Sequence, residues 1–288
     1  MRKSPHAADT DARFRHAAGY VFDLDGSLVM GDKRNNSLSA LPGAADLLDF
    51  LAARNIPYLV LTNGTVRTPT GISAELAKAG LRIPAEKIMT PSTVAADYFA
   101  RRGTRKVLVF GVEGVWQPIA DAGVDIVLSG GEGSGEDVDA IFIGWYRSIH
   151  MDEIDIACKA VWNGASLYAA SMVPFFATRH GRALGSSRAI AAMITSITGR
   201  RATALGKPSQ HALRDAASHI GCKVAELVVV GDDPDLEVRM ALNGGALAVG
   251  LHTGIAGAET YAALQRERQP HLSLGGVAEL RDYLDRLL

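Results

Sequence analysis

The chain has 288 residues, of which 48% are apolar and 21% charged, and its formal net charge is −1. This length suffices for one large domain or two medium ones, each with a core of its own. The near-neutral charge does not favour nucleic acid as a partner, and no apolar run reaches the ~18 residues of a membrane span. We therefore expect neither nucleic acid nor a membrane among its partners.

The first 18 residues are polar and lack the continuous apolar stretch of a secretory signal. They predict a flexible N-terminal tail over residues 1–18. Cys158 and Cys222 match no metal or redox spacing and are typical of unpaired thiols in a reducing compartment. Both observations favour a cytoplasmic location.

From residue 19 onwards, short apolar runs alternate with helical patterns. The runs predict strands over 19–25, 56–63, 106–112, 124–129, 139–145, 166–171, 226–233 and 245–251. A helix is predicted over 43–54, since Leu47, Leu48 and Leu51 fall on one face. Continuous Val/Ile/Leu runs suit strands that are buried on both faces of a parallel sheet. The class is α/β, with a doubly wound parallel sheet as its core.

The segment 92–184 contains four predicted strands and at least three helices of its own. That content is enough for a smaller α/β domain inserted into the first one. We therefore predict a core domain formed by 19–91 and 185–288, and an inserted domain over 92–184.

Four of the apolar runs end in polar side chains that could form one site. These side chains are Asp23 and Asp25, Thr62 and Asn63, Lys207 at the end of a short run over 202–209, and Asp232 and Asp233, with Glu237 one helical turn further on. Each group alone has an ordinary explanation as a turn, a loop or a helix cap. In a doubly wound sheet, however, the carboxyl ends of the strands share one edge, where ligands bind. We expect the four groups to converge there.

Such a set of side chains suits phosphoryl transfer. Acidic groups around one point bind a hard cation such as Mg²⁺, and the cation and a lysine offset the charge of a phosphate. One carboxylate can attack phosphorus and form an aspartyl-phosphate, while a second protonates the leaving oxygen. This division of roles explains why two aspartates stand two residues apart.

The motifs "DLDGS", "LTNGT", "GKPS" and "GDDPDLE", in that order, resemble the four motifs of the haloacid dehalogenase superfamily of phosphatases. The insertion resembles the class-two α/β cap of that superfamily, and "LPGAADLLDFLAARNIPYLVLTN" and "TGRRATALGKPS" are similar to its NagD-like branch, subfamily IIA. The similarity covers about residues 19 to 288 and implies a Rossmann-like core.

The resemblance also implies a role for each matching residue. The nucleophile would be Asp23 and the general acid/base Asp25; Thr62 would bind a phosphoryl oxygen, and Lys207 would orient and neutralise the phosphate. A Mg²⁺ ion would be held by Asp23, Asp232 and the backbone carbonyl of Asp25. Asn63 and Gly64 would lie beside the transferring phosphate.

The chain departs from the family pattern at several positions. Ser27 replaces the usual threonine after "DLDG", and Glu237 stands where the fourth motif has a second aspartate. Glutamate reaches ~1.5 Å further, so either Glu237 binds the cation through water or Asp233 replaces it. Near the end of the cap, the usual Asn-Pro-Asp stretch is replaced by a more apolar one, followed by Arg179 and His180, which could face an anionic substrate.

These observations predict a Mg²⁺-dependent phosphatase of small phosphorylated metabolites that acts through an aspartyl-phosphate. Sugar phosphates, nucleoside monophosphates, pyridoxal phosphate and aryl phosphates all remain open as substrates, and the resemblance implies a homodimer as one arrangement. The alternatives are a catalytically weak binding or regulatory protein, a phosphoacceptor switch and a dehalogenase. The general acid at Asp25 disfavours the last two, because neither needs it.

Overall fold

The computed structural model of the protein describes residues 7–31, 38–131, 135, 137–178 and 181–288. The described strands are β1 (Gly19–Phe22), β2 (Val29–Gly31), β3 (Leu38–Ala40), β4 (Tyr58–Leu61), β5 (Ile88–Met89), β6 (Lys106–Phe110), β7 (Asp125–Leu128), β8 (Ala140–Ile143), β9 (Ser166–Ala169), β10 (Phe175–Thr178), β11 (Gly181–Leu184), β12 (Thr203–Ala204), β13 (Leu227–Gly231), β14 (Leu247–Leu251) and β15 (Leu272–Leu274). The α-helices are α1 (Ala7–Arg15), α2 (Ala44–Ala53), α3 (Pro69–Lys78), α4 (Pro91–Arg102), α5 (Glu113–Asp121), α6 (Met151–Trp162), α7 (Ser186–Thr198), α8 (Gln210–Ile220), α9 (Arg239–Gly244), α10 (Ala258–Ala263) and α11 (Val277–Leu287).

Residue contacts divide these elements between two compact units. The first unit comprises Met1–Thr62, Ser73–Ile88 and Leu213–Leu288, and the second comprises Asn63–Ile72 and Met89–Ala212. Each unit has a parallel sheet of its own. The predicted α/β class with a doubly wound parallel sheet is confirmed.

The sheet of the first unit has the strand order β15-β14-β13-β1-β4-β5, and the pairs from β15 to β4 are parallel. The chain runs from β1 to β4 on one side and later returns to β13 on the other. The strand order therefore reverses between β1 and β13, and the carboxyl ends of these two strands form the switch point at which open α/β sheets bind ligands.

Burial explains why these segments are strands. Every residue of β1, β4, β13 and β14 is buried, which accounts for the apolar runs without alternation. Helix α2 buries Leu47, Leu48 and Leu51, the face that its sequence predicts, and packs beside α11. Burial of each such leucine stabilises the fold by about 1.5–3 kcal/mol.

The N-terminal segment differs from its predicted form as a flexible tail over residues 1–18. Within it, Ala7–Arg15 is helical and Phe14 is only 1% exposed. The Phe14 ring packs edge-on against Tyr283 with 5.2 Å between centroids, and the Tyr283 hydroxyl donates to Asp11. A buried aromatic side chain and hydrogen bonds such as this one therefore hold a helix whose polar composition gives no periodic apolar face.

The second unit has a sheet with the strand order β12-β9-β8-β6-β7, in which all pairs are parallel. Helices α6 and α7 cover one face through an apolar core that includes Phe110, Ile143 and Ile194. On the other side, the Phe99 ring of α4 packs edge-on against Phe142 and Tyr168. Strands β10 and β11 form a separate antiparallel hairpin.

One expectation about the sheets is wrong. The short strand before Lys207 does not join the strands that precede Asp23, Thr62 and Asp232, because β12 pairs with β9 in the sheet of the second unit. The predicted domain boundaries, 19–91 and 185–288 for the core and 92–184 for the cap, remain a prediction. By its contacts, the second unit extends to Ala212.

Among the described residues, no helix combines the length and the hydropathy that crossing a bilayer would require.

Candidate active site at the carboxyl ends of the core strands

Two aspartates follow β1 and lie in different environments. Asp23 is 6% exposed, and its backbone N–H donates to the Val230 carbonyl at 2.8 Å, which extends the pairing of β1 with β13. The Ser27 hydroxyl donates to Asp23 Oδ2 at 3.2 Å and so orients this carboxylate. Asp25 is exposed. One carboxylate is thus fixed at the end of a buried strand, whereas the other is accessible to solvent.

A tight turn after β1 makes this arrangement feasible. Gly26 has a φ of +88°, a conformation that side chains with a Cβ rarely adopt, and its N–H donates to the Val29 carbonyl at 2.8 Å. The Gly26 carbonyl in turn accepts from the Thr253 hydroxyl at 2.5 Å.

Asp232 follows β13 and is 3% exposed. Its Oδ2 accepts a hydrogen bond from the Ile255 N–H at 2.7 Å. A Cβ on Gly254 would lie 1.8 Å from the same oxygen, and a Cβ on Gly26 would lie 2.6 Å from it. The Asp232 carboxylate therefore lies in a cradle, a space that would be filled if Gly26 or Gly254 carried a side chain.

The loop 252–256 contributes Gly254 and the Ile255 N–H to this cradle, and the motifs in the sequence do not point to it. One sequence feature could have indicated this loop. The polar stretch His252-Thr253-Gly254 directly follows the buried strand β14, just as polar residues follow β1 and β13. Because β14 neighbours β13 in the sheet, its carboxyl end belongs to the same edge.

The oxygen donors of this edge fit a hard divalent cation. The carboxylates of Asp23 and Asp232 follow neighbouring strands, and the Asp25 carbonyl belongs to the turn directly after β1. Mg²⁺ prefers such oxygen ligands. The glycine cradle around Asp232 keeps that carboxylate in a fixed place without a side chain above it.

Glu237 and Asp233 belong to a π-helical turn over Pro234–Val238. Glu237 is 2% exposed, and its Oε2 accepts from the Asp233 N–H at 3.2 Å. Asp233 Oδ1 accepts from the Asp235 N–H at 2.7 Å and so caps the turn. The two acids that the sequence leaves open thus differ: Glu237 is the buried one, and Asp233 is a helix cap. Turns of the π type are frequent at functional sites.

Thr62 follows β4 and is 3% exposed, and it ends the first segment of the first unit. Asn63, Gly64 and Lys207 belong to the second unit by their contacts. Asn63 Oδ1 accepts from the Lys207 N–H at 2.8 Å, and Asn63 Nδ2 donates to the Lys207 carbonyl at 3.0 Å. Lys207 is 2% exposed, whereas Gly64 is exposed.

Arg179 and His180, the two predicted substrate contacts in the cap, lie outside the described residues. In the sequence they come between β10 and β11, two paired strands in which Phe175 lies opposite Leu184. Phe175 and Leu184 are 40% and 56% exposed, respectively.

Two family models match the chain at these motifs. A model described as haloacid dehalogenase-like hydrolase matches residues 20–125, and one described as HAD-hydrolase-like matches residues 204–280. The chain belongs to the haloacid dehalogenase-like hydrolases.

Two of its relatives carry the names of enzymes. It is 27% identical over 238 residues to the 5'-nucleotidase YutF of Bacillus subtilis. The matched region covers 82% of this chain and 88% of that protein. It is 26% identical over 257 residues to an acid sugar phosphatase of Staphylococcus epidermidis. This match covers 89% of this chain and 93% of the relative.

Solved structures show the same fold. A hypothetical protein from Pyrococcus horikoshii superposes with a TM-score of 0.83 at 26% identity, over 93% of this chain and 99% of that chain. NagD from E. coli superposes with a TM-score of 0.79 at 25% identity, over 91% and 98%. Within the family, the chain is a member of the NagD-like branch, subfamily IIA.

Proposed function

We propose that the protein is a Mg²⁺-dependent phosphatase that hydrolyses a small phosphorylated metabolite through an aspartyl-phosphate. The observation that carries the proposal is the pair of buried carboxylates, Asp23 and Asp232, which follow the neighbouring strands β1 and β13 at the switch point of the sheet. The names of the relatives, a 5'-nucleotidase and an acid sugar phosphatase, support the reaction class.

In this mechanism Asp23 attacks phosphorus and Asp25 protonates the leaving oxygen. The Ser27 hydroxyl, hydrogen-bonded to Asp23 Oδ2, keeps the nucleophile in one orientation. Having given its proton to the leaving oxygen, the exposed Asp25 side chain is a carboxylate when the second step begins. It then accepts a proton from the water that hydrolyses the aspartyl-phosphate.

Asp23, Asp232 and the Asp25 carbonyl would hold a Mg²⁺ ion, which when bound would supply positive charge to offset that of the phosphate. In the protein itself, the positive charge of the Lys207 ammonium group offsets the same phosphate charge. Thr62 supplies a hydroxyl for a phosphoryl oxygen, and Asn63 and Gly64 supply an amide and a backbone N–H beside it. These assignments follow the family motifs.

The inserted cap over 92–184 would close over the core and select the substrate, with Arg179 and His180 as contacts to an anionic group. Sugar phosphates, nucleoside monophosphates, pyridoxal phosphate and aryl phosphates are the candidate substrates. We further propose a cytoplasmic enzyme and a homodimer.

The test is phosphate release from a panel of these four substrate classes, with and without Mg²⁺. Wild type should release phosphate only with Mg²⁺, and Asp23→Asn should release none. Asp25→Asn should be slower by roughly 10²- to 10⁴-fold, the usual contribution of a general acid. Asp49→Asn, which changes an exposed aspartate of α2, serves as the matched control and should equal wild type.

Activity that persists in Asp23→Asn would contradict the proposed nucleophile. If folded wild type binds Mg²⁺ but hydrolyses none of the panel, the chain is instead a binding or regulatory protein with this fold.

A further inference from the structure

The Tyr261 hydroxyl is buried next to the candidate metal site. Tyr261 belongs to α10 and is 2% exposed, and among the described residues its hydroxyl has no hydrogen-bond partner. Buried hydroxyls without partners are rare and call for an explanation, such as a partner that is engaged only in the working state.

A pair of glycines places this phenol beside Glu237. Gly231 at the end of β13 and Gly250 in β14 are direct partners in the parallel register. A Cβ on Gly231 would lie 2.3 Å from Glu237 Cγ and 2.7 Å from Glu237 Cδ. A Cβ on Gly250 would lie 2.7 Å from Tyr261 Cζ.

The register fixes how the two side chains relate. Partner residues in neighbouring parallel strands direct their Cβ positions to the same face, and the strands are about 4.8 Å apart. The carboxyl group of Glu237 and the phenol of Tyr261 therefore fill adjacent places on one face of the sheet. Both side chains are buried at 2% exposure.

The surroundings keep the phenol protonated, so it is available as a donor. Burial raises the pKa of Tyr261 well above its ordinary value, and the nearby charges of Asp232, Glu237 and Asp233 raise it further. The only ring beside it in the described contacts is that of His252, with 5.8 Å between centroids.

We propose that Tyr261 is a positioning residue for the metal site, whose hydroxyl donates to the Glu237 carboxylate when the cation is bound. Glu237 accepts from the Asp233 N–H, so the hydrogen bond would fix the start of the π-helical turn that follows Asp232. The inference rests on the proposed function, because it assigns Tyr261 to the Mg²⁺ site of that enzyme. Groups that orient metal ligands in this way affect metal affinity strongly.

The test is the Mg²⁺ dissociation constant, measured by calorimetry for wild type, Tyr261→Phe, Glu237→Gln and the double variant. We expect Tyr261→Phe to weaken binding by about tenfold or more. The double variant should be no weaker than the weaker single variant, because Tyr261→Phe removes the donor and Glu237→Gln the charged acceptor of one hydrogen bond. At saturating Mg²⁺, the kcat of Tyr261→Phe should return to near the wild-type value, and its KM for substrate should be unchanged.

Tyr20→Phe is the matched control. The Tyr20 hydroxyl is also buried without a partner among the described residues, and the pKa of Tyr20 is raised by burial alone, with no carboxylate contributing. Tyr20→Phe should therefore leave the Mg²⁺ affinity unchanged. Each variant loses only one oxygen atom or one charge, and its fold is checked by circular dichroism.

Wild-type affinity in Tyr261→Phe, or single effects that multiply in the double variant, would overturn the inference while the phosphatase proposal stands. Conversely, the expected pattern of affinities in a protein that hydrolyses no phosphate ester would support the inference and overturn the proposed function. Absence of Mg²⁺ binding by wild type would overturn the inference and the Mg²⁺ dependence together.

Discussion

The Asn63 side chain hydrogen-bonds both polar groups of the Lys207 backbone. Its Oδ1 accepts from the Lys207 N–H at 2.8 Å, and its Nδ2 donates to the Lys207 carbonyl at 3.0 Å. Gly206 allows this approach, since a Cβ there would lie 2.5 Å from Asn63 Oδ1 and 2.3 Å from the Ala170 carbonyl oxygen. A residue that the motifs assign to the phosphate thus also fixes the backbone of the predicted catalytic lysine.

We expect Asn63→Ala to lower kcat by roughly 10- to 100-fold, because the Lys207 backbone loses both hydrogen bonds and its ammonium group moves from its working position. Steady-state kinetics on the preferred substrate measures the change. Asn243→Ala, at an exposed position in α9, is the control and should match wild type. Equal activity in the two variants would show that Asn63 does not position Lys207.

Gly254→Ala should abolish most of the Mg²⁺ affinity, because the new Cβ would lie 1.8 Å from Asp232 Oδ2 and displace that carboxylate. The expected loss is roughly 10- to 100-fold, measured by calorimetric titration with Mg²⁺. At Gly257 no heavy atom lies within 4 Å of the Cβ position and φ is −94°, so Gly257→Ala is the matched control. Unchanged affinity in Gly254→Ala would exclude Asp232 from the metal site.

Glu153→Gln should lower the free energy of unfolding by about 2 kcal/mol, since a buried carboxylate that accepts three hydrogen bonds becomes an amide. Glu153 is 4% exposed and accepts from the Ser129 hydroxyl, the Tyr146 hydroxyl and the His150 N–H. Urea denaturation gives the value. Glu113→Gln, at the exposed start of α5, should change it by less than about 0.5 kcal/mol. A similar effect in both variants would mean that the three hydrogen bonds of Glu153 do not account for the loss of stability.

Asp139→Asn should cost about 1 kcal/mol at pH 7, and the cost should disappear in acid. Hydrogen bonds from the Arg105 and Lys106 N–H groups hold the pKa of Asp139 below its usual value. A carboxyl with a lowered folded-state pKa stabilises the fold above its unfolded pKa of about 4, and this contribution is lost as the pH falls through the folded value.

The measurement is urea denaturation of wild type and Asp139→Asn between pH 7 and pH 3. Their difference should be constant down to about pH 5 and then shrink. Asp125→Asn, at the start of β7, changes an exposed aspartate whose carboxylate accepts no hydrogen bond among the described residues, and it should show no such difference. A gap between wild type and Asp139→Asn that persists in acid would rule out the charge as its source.

Much of the first unit could be predicted from the sequence because its strands are buried on both faces. Apolar runs without alternation mark β1, β4 and β13 directly, and the polar residues after them stand out. The motif order then makes Asp23 and Asp232 candidate site residues. These two aspartates do follow neighbouring strands.

Features that depend on strand order could not be predicted in the same way. The loop 252–256 holds Asp232 only because β14 lies beside β13, and β12 looks like the other site strands although it pairs with β9. Helix α1 is held by contacts with the far end of the sequence, such as the one between Phe14 and Tyr283. Apolar runs and spacing within one segment carry no information about such distant pairs.

The closeness of Glu237 to Gly231 restricts how this protein can change. Any residue other than glycine at 231 would collide with the longer acid, because the Cβ would lie 2.3 Å from Glu237 Cγ. The family's usual aspartate at 237 would not remove this restriction, because a Cβ on residue 231 would also lie 2.5 Å from the Cβ of residue 237, an atom that aspartate and glutamate share. Evolution or design can therefore exchange one acid for the other at 237, but only while position 231 stays glycine.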